Sequence, residues 1–167
     1  MVIGLSIHTF TIVHVVISLI AIASGLIVLF GMLGAHRLPA WTAVFLVTTI
    51  LTSVTGFMFP IQGFTPGLGT GAVSMLVLAI ALIALYAKHL VGSWRWLYVA
   101  AAVLALYFNV LVLIVQSFQK VPTLNTLAPT QSEPPFLIVQ GVALTAFLFL
   151  GIAAAFRFRP APVISAY

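Results

Sequence analysis

The residues best equipped for chemistry in this sequence are neutral and lie inside long apolar runs: His14, Asn109, Gln116 and Gln140. An imidazole and three carboxamides donate and accept hydrogen bonds without bringing a charge into hydrocarbon. Around a hydrophobic pocket such groups suit a quinone or another lipid-soluble ligand, with His14 as one contact and Gln116 or Gln140 as the second. His14 is also a candidate haem ligand, in a mixed set with Met58 or Met75. The plainer use of the same side chains is structural. Large polar groups facing lipid are costly, so they turn inward and bond across helices.

Spacing groups them with smaller residues. Thr11, His14, Ser18, Ala21 and Gly25 follow steps of three and four, which puts them on one helical face. Thr42, Thr49, Thr52, Ser53 and Gly56 form a similar stripe, and Asn109, Gln116 and Lys120 a third. Hydroxyl and small residues in such stripes are expected to line helix contacts, where they permit close approach.

A bis-histidine haem needs two imidazoles on different helices at one depth. His8 and His14 are six residues apart on one helix and diverge by about 120°. His36 and His89 form a possible pair, yet each adjoins a cation, Arg37 or Lys88, at the end of an apolar run. They are expected to be ordinary interfacial histidines.

Much other chemistry is excluded. The chain has no cysteine and a single acid, Glu133, so disulfides, thiolate metal sites, carboxylate pairs and a Ser/His/Asp set are all missing. No glycine-rich phosphate loop or zinc spacing occurs. No catalytic and no metal-binding residues are assigned, and an enzyme acting alone is not expected. Six dispersed cations make no basic stripe, so nucleic acid is not an expected partner. A pump is also disfavoured, since no ionisable carboxylate, Lys or Arg lies deep in an apolar run.

The elements that must position these residues follow from composition. With 63% hydrophobic and 4% charged residues, the chain cannot build a wetted surface, and the medium it needs is a lipid bilayer. A spanning helix takes roughly 20 apolar residues. Five segments qualify, at about 9–33, 40–59, 71–90, 96–118 and 136–156, in one transmembrane domain covering residues 1–167. The fold expected is an all-α bundle of five transmembrane helices. The Gly/Pro stretch from Pro60 to Gly69 is expected to be a loop, as is the proline-rich segment from Gln119 to Pro135, where Glu133 and Lys120 are able to pair. The first run lacks a basic leader and is long enough to span, so a cleaved signal peptide is not expected.

With the N-terminus outside and the C-terminus cytoplasmic, Arg37, Lys88, Arg95, Arg157 and Arg159 fall inside and only Lys120 outside. Trp41, Trp94, Trp96 and Tyr98 then sit at the cytoplasmic boundary, where aromatic belts form. In that orientation His14, Asn109, Gln116 and Gln140 share the outer half of the membrane.

The stretch from Tyr107-Phe108-Asn109-Val110 through Gln116-Ser117-Phe118-Gln119-Lys120-Val121-Pro122, with Leu127-Ala128-Pro129-Thr130-Gln131-Ser132-Glu133-Pro134-Pro135, resembles a group of small bacterial multi-pass inner-membrane proteins with no assigned activity. That resemblance covers about a sixth of the chain. It implies a bacterial inner-membrane setting. In size and helix count the chain is also similar to haem-bearing b-type membrane cytochromes, without their paired inward histidines. Three functions are therefore expected in order: a non-enzymatic subunit or accessory protein of a larger membrane complex, respiratory or photosynthetic; a haem- or quinone-binding electron-transfer protein; and a small neutral-solute transporter.

Overall fold

The computed structural model describes residues 2, 4–60, 63 and 66–159. Among the described residues six α-helices form, and five of them are long and apolar enough to cross a membrane. They are α1 (Ile7–Leu33), α2 (Pro39–Phe57), α3 (Pro66–Leu82, prolonged by a π-helical turn at Ile83–Ala87), α4 (Trp94–Lys120) and α6 (Pro134–Arg157). A short α5 (Pro122–Leu127) lies between the last two spans.

The helix limits have local causes. Ser6 caps α1 by accepting from the Thr9 amide at 3.1 Å. Pro39 and Pro134 occupy first-turn positions, where a missing amide hydrogen costs nothing. At the end of α1, His36 N–H bonds to Gly31 O and Ala35 N–H to Met32 O, a Schellman arrangement. The left-handed residue there is Ala35, at φ 59°, and not the neighbouring Gly34 at φ −85°.

Two expected loops are partly helical. Pro66, Gly67, Leu68, Gly69 and Thr70 open α3, because proline is pre-set for a first helical position. The rest of that expected loop includes Ile61, Gln62, Phe64 and Thr65, which lie outside the described residues, as does the tail beyond Arg159. In the second loop Pro122 starts α5, and Ala128 is fully buried behind it. Glu133 does not pair with Lys120. Its carboxylate accepts from the Thr130 amide and hydroxyl and from the Ser132 amide.

Lipid supplies no hydrophobic force between spans, so the bundle holds through close packing. Ala21, Ala81, Ala84, Ala105 and Ala154 are fully buried, which lets backbones approach. Gly25 is the tightest point: a Cβ there would lie 2.6 Å from Leu106 and 2.8 Å from Phe45, both almost wholly buried. Helix α4 is the hub, touching α1, α2, α3, α5 and α6. In its most apolar stretch 44% of residues are buried, against 6% in α6, which leans on α4 and α1 from the rim.

Candidate functional sites

His14 faces α2. Its Nδ1 lies 2.7 Å from Thr55 Oγ1, and the Thr55 hydroxyl is already committed as a donor to Leu51 O at 2.6 Å. The imidazole must therefore donate from Nδ1, which leaves Nε2 as an acceptor. The ring packs edge-on against Phe59, centroids 5.3 Å apart, and Phe59 packs in turn on Phe10. Gly56 passes close to the ring, with room for a Cβ 3.7 Å from His14. Thr55 was missing from the hydroxyl stripe picked out by spacing, though its three-residue step from Thr52 was available as a signal.

The three carboxamides go elsewhere. Asn109 is buried and donates from Nδ2 to Thr49 Oγ1 at 3.1 Å, across the seam between α2 and α4. Gln140 donates to Leu111 O at 3.3 Å, tying α6 to α4, and its buried Oε1 has no partner among the described residues. Gln116 is exposed near the end of α4. No hydrogen bond joins any two of His14, Asn109, Gln116 and Gln140. The single shared site that spacing suggests is resolved into two cross-helix contacts to α2, one to the α4 backbone and one open side chain.

A cleft of about 240 Å³ opens at the other end of the bundle. It gathers the end of α1, the α1–α2 turn with the start of α2, the π turn with Leu90 after it, Tyr98 of α4 and Phe158 just beyond α6. Val28, Met32, Leu85, Leu90 and Phe158 give it apolar walls. Thr42 and Tyr98 lie deep, and His36, Arg37 and Tyr86 stand at the mouth. Tyr98 is only 2% exposed, enclosed by the bundle, and it faces Thr42.

The backbone around this cleft is unusual. Leu85 and Tyr86 come from a π turn, a form that recurs at functional sites. His89 and Leu90 follow at φ 49° and 61°, and Ala35 at 59° precedes His36. For a residue with a Cβ, left-handed backbone costs about 1–2 kcal/mol. Of the three, Leu90 is buried and lines the cleft, so packing holds it in place, whereas Ala35 and His89 are exposed beside it.

The cations at this end are used differently. Arg95 donates to Ala155 O at 3.0 Å and to Phe158 O, closing the end of α6, and stacks over Trp96 at 4.6 Å. Lys88 lies over Trp94 at 5.5 Å. Arg37 makes no hydrogen bond or ion pair among the described residues. His36 and His89 are both exposed, and among the described residues no three His, Asp or Glu side chains gather as a metal set.

Compared with protein families, with curated proteins and with solved structures, the chain matches none.

Proposed function

We propose that this multi-pass membrane protein is a non-enzymatic subunit or accessory protein of a larger membrane complex in a bacterial inner membrane, N-terminus outside and C-terminus cytoplasmic. The observation that carries this reading is the outer face of α6. Gly141 and Thr145, four residues apart, are both exposed there, and a Cβ on Gly141 would meet nothing within 4 Å. Small residues at that spacing are the usual contact strip between transmembrane helices. The Thr145 hydroxyl is unbonded among the described residues, whereas Thr11, Thr48, Thr52 and Thr55 each bond to a carbonyl of their own helix. A hydroxyl left free at that depth is satisfied by a second helix. Five basic residues at one end of the bundle, against Lys120 at the other, support the orientation.

Extraction in mild detergent followed by native sizing tests this reading. Co-migration with other membrane subunits is expected, and Gly141→Leu with Thr145→Leu should release the protein as a folded monomer. A wild-type chain that runs alone overturns it.

A second reading, haem or quinone binding at His14, is favoured by one observation. Fixing Nδ1 on Thr55 orients the ring and leaves Nε2 free, the arrangement a ligating imidazole uses. An absorption spectrum of purified protein without a Soret band, together with no extractable quinone, removes it.

A further inference from the structure

We propose that the cleft at the basic end is a binding site for an anionic phospholipid of the adjoining leaflet, with the phosphate on Arg37 and His36 and the upper part of one acyl chain over Tyr98. Charge complementarity requires an outside anion. Arg37 is the Lys or Arg side chain that lines the opening, and it has no hydrogen bond or ion pair among the described residues; Arg95, at the same end, is taken up by the Ala155 and Phe158 carbonyls, and Lys88 lies on Trp94. The chain's single acidic side chain cannot serve. Glu133 precedes α6 and the cleft lies just after it, so 24 helical residues, or about 36 Å, separate them.

The shape of the cleft selects an amphiphile over a bare anion. Below the guanidinium the walls are aliphatic and aromatic down to Val28, which sits about 7 Å of helix rise inside the end of α1. A free phosphate gains nothing from such walls, whereas a lipid tail is already at home in them. Depth also fits, because Trp94 and Trp96 open α4 at the same end of the bundle and tryptophan marks the headgroup level. Basic pockets between transmembrane helices hold anionic head groups by this combination of charge and apolar walls. The π turn has a purpose in this arrangement: it turns Leu85 and Tyr86 to the opening from a helix that otherwise packs on α4.

Native mass spectrometry of the full chain in mild detergent, with phosphatidylglycerol or phosphatidylcholine added, tests the site. Phosphatidylglycerol is expected to stay bound in preference to phosphatidylcholine, and Arg37→Gln to reduce that preference by about fivefold, the effect of one cation near anionic lipid. Lys120→Gln, at the opposite end, should leave it intact. Leu85→Trp, which fills the slot without touching charge, should lower retention of both lipids. Equal retention of the two lipids by the wild type, or an unchanged preference in Arg37→Gln protein with wild-type helicity, overturns the proposal. Displacement of the lipid by millimolar inorganic phosphate would show a headgroup-only anion site and overturn the acyl-chain assignment as well.

Discussion

Asn109 and Thr49 meet at 3.1 Å in the buried seam between α2 and α4, Thr49 fully enclosed and Asn109 8% exposed. In hydrocarbon neither has water to fall back on, so each is the other's means of satisfaction. Yet the free-energy gain is small, because polar groups in separated helices also find partners. A double-mutant cycle of Asn109→Ala and Thr49→Ala should give a coupling of about 0.6 kcal/mol, and no more than about 1.7. Denaturation in mixed detergent micelles measures it, and a coupling of zero would mean that the pair is not formed in the membrane.

The end of α1 offers a prediction with different outcomes at adjacent residues. Ala35 holds the left-handed position that glycine normally takes, while Gly34 beside it has ordinary backbone. Ala35→Gly should raise stability by about 1 kcal/mol, by removing the strain of a Cβ at positive φ. Gly34→Ala should gain nothing, because the new Cβ would meet His36 Nδ1 at 2.8 Å and push that ring aside. Thermal unfolding of the two variants separates these outcomes. No gain in Ala35→Gly, with a loss in Gly34→Ala, would show that the turn uses Gly34 instead.

How far the sequence carried can be judged from the same turn. Its place, between Leu33 and Pro39, was legible because a run of apolar residues must end where the bilayer does, and all five spans were readable for that reason. The residue taking positive φ was not, since either neighbour satisfies the local rule. The opening of α3 was misjudged because Pro66 with two glycines looks like a turn, although proline also suits a first helical position. His14, Asn109 and Gln140 were correctly legible as polar groups needing partners, but their partners come from residues 29 to 60 positions away. The cleft left almost no trace. Five chain segments build it mainly from apolar side chains, and Tyr98, its floor, sits in a row of aromatics that spacing assigns to the interface.

The hydrogen bond from His14 to Thr55 fixes a tautomer, and tautomers are measurable. Imidazole nitrogen chemical shifts from the protein in lipid should show His14 protonated at Nδ1 and bare at Nε2. Thr55→Val removes the acceptor, and the Nδ1–H signature should then disappear while that of exposed His8 is unchanged. A His14 protonated at Nε2 in the wild type would mean that the ring is not held by Thr55 and would take away the support for ligation at Nε2.

Glu133 gives the one pH dependence that lies clear of the spans. Partial desolvation pushes its carboxyl up, but the hydrogen bonds from Thr130, through hydroxyl and amide, and from the backbone of Ser132 together outweigh it and leave the group below its ordinary 4.5. Because the folded-state value is depressed, the order it confers on the turn ahead of α6 is fully present above the ordinary value. It is lost as pH falls through the depressed one. Amide exchange at Thr130 and Ser132 should therefore stay slow at neutral pH and accelerate as pH falls below the ordinary value of 4.5, after correction for intrinsic rates. Glu133→Gln should exchange fast at those two amides throughout, with no dependence on pH in that window. Protection in the Gln variant equal to wild type would show that the turn is held by Gln131, whose side chain donates to Val115 O at 3.0 Å, and not by the carboxylate.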